Sequence, residues 1–296
     1  MYLAPYIKKF KKFNLIYFKY GNIKFIKKLG EGSTGSVYNC LIHNKKYTIK
    51  IFDLENYLDL DGLIEDVYNE MYISNMLKNS VYNNTIKGYS IYNRLNDVKI
   101  YLIYEYYNKS VDLREFINNS YNKSKYILTT KNKLFIIKQL IYGLKEIKEN
   151  SITHCDIKLE NIIIFKNKDE YNIKYIDFGS SCYMENTMYD SSEYDYNFGT
   201  TGYMPIEVYK KTIYYESDIY SLAVCIIEIL IGKIWTDTND YSNCRKEVKS
   251  SLNKIKNKKI KKYLIRCLSE NYKIRPDIYN FENEFITLLH QQLDED

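Results

Sequence analysis

The stretch HCDIKLEN, residues 154–161, places a histidine, a cysteine, an aspartate, a lysine and an asparagine within eight positions. A second aspartate, Asp177 in IDFGSSC, follows sixteen residues after Asn161. Cysteine beside histidine suggests a zinc site, whereas aspartate and lysine two positions apart suggest an acid–base group with a charge partner. The rest of the sequence decides between these two interpretations.

The cysteines of the chain show no metal-ligand pattern. They are Cys40, Cys155, Cys182, Cys225, Cys244 and Cys267. With no C-x-x-C pair and no zinc-ligand spacing, they are interpreted as free thiols in a reducing compartment. Asp156, Asn161 and Asp177 instead offer hard oxygen atoms, which suit Mg²⁺ rather than zinc.

The length of 296 residues indicates about two domains or lobes. The hydrophobic fraction of 45% is enough to fill a sizeable core, which indicates a folded protein. The net charge of +6 suits a phosphate-bearing ligand, but it is too small for a nucleic-acid-binding signature. The first residues, MYLAPYIKKFKKF, have lysines where a secretory signal would have its apolar region. The apolar run LAVCIIEILI at 222–231 is too short to span a bilayer. We therefore expect no nucleic acid, no transmembrane segment, and a cytoplasmic location, with the nucleus as the alternative.

Hydrophobic periodicity divides the chain into a strand-rich first third and a helical remainder. Strands are predicted at the segments beginning IKFIKK, SVYNCLI, KYTIKIF and VKIYLIYEYY, and a helix is predicted over 66–78. KNKLFIIKQLIYGLKEIKEN, residues 131–150, repeats apolar residues at helical spacing and predicts an amphipathic helix. The pattern predicts an α+β fold in which a small β-rich lobe meets a larger helical lobe near Asn108.

A glycine-rich turn, GEGSTGSV, follows the first of these strands. Gly30, Gly32 and Gly35 would let the backbone approach phosphate groups closely. A strand rather than a helix comes next, so a dinucleotide-binding turn is not expected. An ordinary glycine-rich hairpin is the alternative.

A lysine, Lys50, ends the apolar strand YTIK. It could hold phosphates if a carboxylate oriented its flexible side chain. Glu70 and Glu65 are the candidates, and we prefer Glu70 because the apolar register after it fits a packed helix. We expect Lys50 to be partly exposed and Lys50→Met to leave the fold intact.

Taken in order, these motifs resemble those of the eukaryotic-type protein kinases, from about Ile23 to about His290. GTTGYMPIE resembles the end of an activation segment, and SDIYSLAVCIIEIL resembles the buried central helix with its anchoring Asp218. RPD supplies Arg275 as the expected ion-pair partner of Glu207. No other fold class accounts for all of these motifs together.

The resemblance implies a two-lobed kinase fold. An extension would occupy 1–22, the kinase domain 23–290 and a tail 291–296. Within the domain, the N-lobe would cover 23–107 and the C-lobe 108–290.

The resemblance also implies the chemistry of the site. Asp156 would be the catalytic base, Lys158 would neutralise the phosphoryl group in flight, and Asn161 and Asp177 would hold the Mg²⁺ bound to ATP. Thr200 would contact Asp156 and Lys158, an arrangement typical of kinases that act on serine and threonine.

Nucleotide contacts are implied for a further set of residues. These are Gly30, Gly32 and Gly35 over the phosphates, Lys50 and Glu70 as the ion pair, Val37, Thr48 and Ile163 around adenine, Glu105 and Tyr107 at the hinge, and Asp112 at the ribose. Tyr104 would be the gatekeeper, and His154 and Phe178 would stack in a hydrophobic spine.

The sequence departs from the family pattern at several positions. Cys155 replaces the arginine that usually gathers a phosphorylated activation loop, so activation by one loop phosphate is not expected. Lys174 and Arg114 are the alternative readers of such a phosphate. Thr48 replaces a small alanine and would tighten the adenine pocket, and Ser74 replaces an apolar spine residue.

HCD and DFGSSC together resemble the dual-specificity tyrosine-regulated kinases, which would add tyrosine as an acceptor. Tyr194 and Tyr196 lie near where that group carries a tyrosine pair. GTTGYM, however, resembles ordinary Ser/Thr kinases.

The sequence therefore predicts a protein kinase that transfers the γ-phosphoryl group of ATP to serine and threonine hydroxyls of protein substrates. A pseudokinase scaffold is the alternative from another class, although Lys50, Asp156 and Asp177 are all present. A small-molecule kinase is disfavoured by the peptide-type GTTGYMPIE segment. The basic segment YIKKFKKF is expected to pack beside the small lobe, with an anionic membrane surface as the alternative; the oligomeric state is left open.

Overall fold

A computed structural model describes residues 4–32, 35–94, 97–122, 128–185, 188–190, 198–234 and 240–295. These residues form two compact units. The first contains the described residues up to Ser80 together with Asn84–Asn108, and the second contains Val81–Asn83 and the described residues from Lys109 onward.

The first unit is a six-stranded sheet with two helices. Its elements are α1 (Ala4–Phe10), β1 (Ile16–Tyr17), β2 (Ile23–Gly32), β3 (Gly35–Ile42), β4 (Lys45–Asp53), α2 (Leu60–Met76), β5 (Ile86–Arg94) and β6 (Asp97–Glu105). The strand order is β1-β5-β6-β4-β3-β2. All pairs are antiparallel except β1 with β5, which run parallel.

Helix α2 begins six residues before the predicted start at 66. The side chain of Asp59 accepts a hydrogen bond from the Gly62 N–H at 2.9 Å and so caps the first turn. The buried residues Leu63 and Ile64 belong to the apolar face of the helix. Asp61 and Gly62 interrupt the apolar residues of this first turn, which makes the start of the helix hard to predict from the sequence.

The second unit is mainly helical. Its elements are β7 (Val111–Asp112), α3 (Leu113–Asn122), α4 (Thr130–Glu149), β8 (Ile152–Thr153), β9 (Ile162–Asn167), β10 (Glu170–Tyr175), β11 (Cys182–Tyr183), β12 (Met188–Asp190), α5 (Ile206–Tyr209), β13 (Thr212–Tyr214), α6 (Tyr215–Ile231), α7 (Tyr241–Ser251), α8 (Lys258–Cys267), α9 (Ile278–Asn280) and α10 (Ile286–Glu295), with a π-helical turn at Phe281–Phe285 between the last two. The β-rich first unit and the helical second unit confirm the predicted α+β fold class.

Two helices of this unit were predicted closely. Helix α4 lies within one residue of the predicted 131–150, and α6 contains the apolar run 222–231, most of which is buried. In α4, a Cβ at Gly143 would lie 2.6 Å from the Tyr175 ring, so glycine lets β10 approach the helix. In the described part of the chain, no helix has the length and apolar character needed to cross a membrane.

Candidate active site

The loop between β8 and β9, which carries HCDIKLEN, is fixed by one carboxylate on α6. Oδ2 of Asp218 accepts a hydrogen bond from the His154 N–H at 2.6 Å, and Oδ1 accepts from the Cys155 N–H at 3.0 Å. Burial raises the pKa of Asp218 to about 7, although the two N–H donors favour its charged form. Asp218 therefore anchors the backbone of the loop, as the resemblance implies.

The side chain of His154 is structural. It is fully buried, its ring lies 4.9 Å from that of Phe178, and Nε2 is 3.3 Å from the carbonyl oxygen of Ile176. Burial lowers the pKa of His154, which favours the neutral ring. The expected contact between His154 and Phe178 is therefore present within the second unit, with the rings tilted by 45° rather than stacked. Neither metal binding nor acid–base chemistry is needed to explain the histidine.

The four residues predicted to be catalytic meet around the carboxylate of Asp156. Thr200 Oγ1 donates to Oδ1 at 2.6 Å, and Lys158 Nζ lies 2.8 Å from Oδ2. Lys158 also donates to Thr200 Oγ1 at 2.8 Å, and Asn161 Nδ2 donates to Oδ2 at 2.9 Å. Asp156 is thus an oriented hydrogen-bond acceptor, as a general base must be, and the cation of Lys158 lies beside it.

The residues predicted to hold Mg²⁺ have suitable donor atoms. Asn161 donates two side-chain hydrogen bonds from Nδ2, both to Asp156. Among the described residues, none donates a hydrogen bond to its Oδ1. The carbonyl oxygen of Asn161 accepts from the N–H of Ile176 at 3.0 Å, which ties this residue to the one preceding Asp177. Asp177 has φ +62°, the left-handed region that few non-glycine residues adopt. One amide oxygen and one carboxylate fit a hard divalent cation.

In the first unit, Lys50 on β4 pairs with Glu70 on α2. The Nζ and Oε2 atoms are 2.7 Å apart, and the hydroxyl of Tyr104 donates to the other oxygen of Glu70. The structure therefore selects Glu70 over Glu65. The Lys50 side chain is only 9% exposed, so the expectation of a partly exposed lysine is wrong. Strand β4 is an inner strand of the sheet, and α2 places Glu70 against the lysine. The alternation of apolar and polar residues along the strand does not reveal this helix.

The predicted glycines lie in the β2–β3 hairpin. Gly30 is opposite Val37 and Gly32 is opposite Gly35. A Cβ at Gly35 would lie 1.9 Å from the backbone oxygen of Ile51, so no other residue fits there. Geometry alone is compatible with both a phosphate-binding turn and an ordinary hairpin, and the phosphate role stays a prediction.

The other residues predicted to bind the nucleotide in the first unit lie on β3, β4 and β6 or just after β6. Val37 on β3 is in register with Lys50 on β4. Thr48 is in register with Tyr104, and its hydroxyl donates to a side-chain oxygen of the β3 strand at 3.4 Å. Glu105 ends β6, and Tyr107 follows it outside the strand. The adenine and hinge roles of these residues stay predictions.

Asp112 and Ile163, the ribose and adenine residues predicted in the second unit, are cross-strand partners on β7 and β9. Oδ1 of Asp112 accepts the Glu115 N–H at 2.7 Å and so stabilises the first turn of α3. A ribose contact would use the remaining oxygen of this carboxylate.

Glu207 and Arg275 form the ion pair implied by the resemblance. Their N–O distances are 2.5 and 3.0 Å, and the Arg275 side chain is fully buried. Arg275 also donates to the backbone oxygen of Glu216 on α6 at 3.0 Å. The pair ties the end of the activation segment to the central helix.

Cys155 lies in an apolar cluster that joins the two described ends of the activation segment. The other buried members are Cys182, Met184, Phe198, Met204, Val208 and Ile213. Burial raises the pKa of the Cys155 thiol well above its usual range, so the group is neutral. Apolar packing thus occupies the place where the family usually has a phosphate-binding guanidinium.

We expect Cys155→Arg to destabilise the protein by several kcal/mol, because it would bury a guanidinium without a partner. Cys155→Ala, the control, removes a small apolar contact and the hydrogen bond from the thiol to the Thr153 carbonyl oxygen at 3.4 Å, and it buries no charge. Activity of the wild-type chain should survive phosphatase treatment, whereas that of Cys155→Arg should depend on an activation-segment phosphate. Phosphosite mapping must accompany the assay because Tyr194 and Tyr196 lie outside the described residues.

The opposite result would be a wild-type enzyme silenced by complete removal of these phosphates. Another basic residue would then bind them. Arg114 is a poor candidate, contrary to expectation, because it is engaged by Glu160, Glu228 and Tyr203. Lys174 would be the first residue to substitute.

Sequence reasoning missed two contacts of α2 and the Arg114 network. Ser74 Oγ accepts the N–H of Ile86 at 2.7 Å, so the unusual serine links α2 to β5. The Tyr104 hydroxyl donates to Glu70, a contact that was not part of the expected gatekeeper role. For Ser74, the available signal was a hydroxyl where the family usually has an apolar residue.

The chain matches the protein kinase domain family over residues 23–296. It is 26% identical over 239 residues to serine/threonine-protein kinase atg1 of Dictyostelium discoideum, covering 79% of this chain and 33% of the relative. It is 27% identical over 209 residues to probable serine/threonine-protein kinase 2 of Plasmodium falciparum, covering 70% and 37%. A putative serine/threonine-protein kinase of Acanthamoeba polyphaga mimivirus is 31% identical over 242 residues, covering 78% and 40%. The chain spans between a third and two fifths of the length of these three relatives.

Proposed function

This chain belongs to the protein kinase domain family, and from that membership we propose that it transfers the γ-phosphoryl group of ATP to serine and threonine hydroxyls of proteins. The observation that carries the proposal is the contact of Thr200 with both Asp156 and Lys158. The names of the relatives support the same acceptor class, since all three are serine/threonine-protein kinases.

Each group of the second unit has a separate task in this mechanism. Asp156 accepts the proton of the substrate hydroxyl as that oxygen attacks the γ-phosphorus of ATP, and the bond from this phosphorus to the bridging oxygen breaks so that ADP leaves. Lys158 neutralises negative charge on the transferred group. Thr200 fixes the lysine and the carboxylate relative to each other, because its hydroxyl accepts from Lys158 and donates to Asp156. Asn161 orients Asp156 through Nδ2 and would hold Mg²⁺ together with Asp177. The cation, when bound, offsets charge on the phosphates of ATP.

In the first unit, Lys50 would bind the phosphates of ATP. A lysine side chain has four rotatable bonds, and the 2.7 Å contact with Glu70 removes most of that freedom before ATP binds. Tyr104 holds Glu70 from the other carboxylate oxygen. The cation is therefore preorganised by two residues, which reduces the ordering cost of binding.

A phosphoryl-transfer assay tests the proposal. The purified chain is incubated with radiolabelled ATP, Mg²⁺ and peptides that present serine, threonine or tyrosine in the same flanking sequence. We expect label on serine and threonine, and we expect Asp177→Asn to abolish transfer and weaken Mg²⁺-dependent ATP binding, because a charged hard ligand is lost. Label on tyrosine as well would show dual specificity.

ATP binding without transfer to any acceptor would overturn the proposal in favour of a nucleotide-binding scaffold. Asp169→Asn is the matched control, since Asp169 is an exposed aspartate in the turn between β9 and β10 of the same unit. It should bind ATP and transfer phosphate as the wild type does.

A further inference from the structure

The segment before the family match adds structure to the first unit. Residues 4–22 precede the matched region, which begins at residue 23. They form helix α1, a 3-10 turn at Lys11–Phe13 and strand β1. The family resemblance assigns no role to these residues. The part that includes α1, the 3-10 turn and β1, residues 4–18, is here called the strap.

One end of the strap is attached to β5. Ile16 and Tyr17 pair in parallel with Gly88 and Tyr89, and the N–H of Phe18 donates to the Tyr89 carbonyl at 2.9 Å. A Cβ at Gly88 would lie 2.4 Å from the Ile16 oxygen and 2.5 Å from the Phe18 ring. Strand β5 therefore carries a glycine where the strap passes, and any larger residue would displace it.

The other end of the strap packs on α2. Phe10 and Phe13 are 0% and 9% exposed and belong to the same core cluster as Val67 of this helix. The rings of Phe13 and Tyr68 are 5.2 Å apart. The burial of both phenylalanines confirms that the basic N-terminal segment packs on the small unit.

A polar contact adds to this packing. The hydroxyl of Tyr6 donates to the carboxylate of Asp61, in the first turn of α2. Asp61 and Tyr68 are seven residues apart and so lie on one face of the helix. The strap therefore contacts α2 along two turns.

Glu70 lies on nearly the opposite face of α2, because residues two apart on a helix point away from each other. That face is attached to the sheet by the Lys50–Glu70 pair, the Tyr104 hydroxyl and the Ser74–Ile86 hydrogen bond. The helix is thus held by the sheet on its Glu70 face and by the strap at Asp61 and Tyr68. Val67, which belongs to the core cluster shared with the strap, lies between Tyr68 and Glu70 around the helix. A rotation of α2 would separate Glu70 from Lys50. It would also break the contacts of the strap with Asp61 and Tyr68.

We propose that the strap is a built-in positioning element that holds α2 in the orientation in which Glu70 pairs with Lys50, with Phe13 as its principal positioning residue. The catalytic consequence rests on the proposed phosphoryl transfer. The positional consequence does not, because the orientation of α2 can be measured without catalysis.

The test uses the full chain and the substitutions Phe13→Ala and Phe13→Leu, the second retaining enough volume to fold if the first does not. We expect kcat/KM to fall about tenfold or more, since small misplacement of a reacting group has large kinetic effects. We also expect faster hydrogen exchange over residues 60–76 at a temperature well below the melting transition. Phe25→Ala, which removes a 42% exposed phenylalanine of β2 in the same unit, should change neither quantity.

A double-variant cycle with Glu70→Gln separates positioning from general destabilisation. If Phe13 acts through Glu70, adding Phe13→Leu to Glu70→Gln should change kcat/KM by less than about twofold. The proposal would be overturned if the two substitutions lowered kcat/KM by the product of their separate effects. It would also be overturned if hydrogen exchange in α2 were unchanged in the folded Phe13→Leu variant. A wild-type chain without transferase activity would defeat the proposed function, but the exchange experiment would still decide the role of the strap.

Discussion

Asp156→Asn is expected to lower kcat by about 10²–10⁴-fold while ATP still binds. The substitution keeps the size of the side chain and an oxygen able to accept the Thr200 hydrogen bond. It removes the negative charge beside Lys158 and with it the ability to take a proton from the substrate hydroxyl. The effect should therefore fall on turnover rather than on substrate affinity.

Single-turnover kinetics and ATP titration on the same preparation check this prediction. Thr200→Ser provides a matched control, because it keeps the hydroxyl that contacts Asp156 and should retain most activity. A variant Asp156→Asn with near-wild-type turnover would exclude Asp156 as the base. A variant that no longer bound ATP would show instead that this carboxylate helps to hold the nucleotide or its cation.

Short-range features of the site were predictable because their geometry is local. Asp156, Lys158 and Asn161 are separated by two to five residues in one loop, so their meeting follows once the loop is anchored by Asp218. The position of Thr200, 44 residues beyond Asp156, came only from the resemblance. No propensity or periodicity links two side chains at such a separation.

Long-range packing explains most of what the sequence did not reveal. The parallel β1–β5 pair joins Ile16 to Gly88. Parallel strands are not connected by a short hairpin turn, so no turn motif in the sequence predicts their pairing. In the strap, lysines separate the phenylalanines, so YIKKFKKF resembles an exposed basic helix although Phe10 and Phe13 are buried. Burial of those rings depends on α2 and β5, which are distant in the chain.

The burial of Lys50 has the same origin. Strand β4 has neighbours on both sides, β3 and β6, and α2 brings Glu70 to the lysine. An alternating strand pattern distinguishes two faces but not whether a helix covers one of them. The consequence is a different expectation for the stability of a lysine variant.

Lys50→Met is expected to abolish most phosphoryl transfer and also to lower the free energy of unfolding by about 3–5 kcal/mol. The methionine fits the space, but Glu70, whose side chain is 3% exposed, would keep a buried charge after losing its lysine, while the Tyr104 hydroxyl still donates to it. Chemical denaturation measures the loss. Lys28→Met is the control, since Lys28 and Glu31 form an exposed pair and should contribute no more than about 1 kcal/mol.

The double variant Lys50→Met, Glu70→Gln separates stability from activity. Replacing the carboxylate removes the charge that the single variant leaves without its lysine, so stability should recover toward the wild type. Transfer should stay low because the lysine proposed to bind the phosphates of ATP is still missing. Recovery of both quantities would show that Lys50 serves only to neutralise Glu70. A single variant Lys50→Met as stable as the wild type would mean that Glu70 is protonated or hydrated in the folded protein, and the buried ion pair would then have no measurable role in stability.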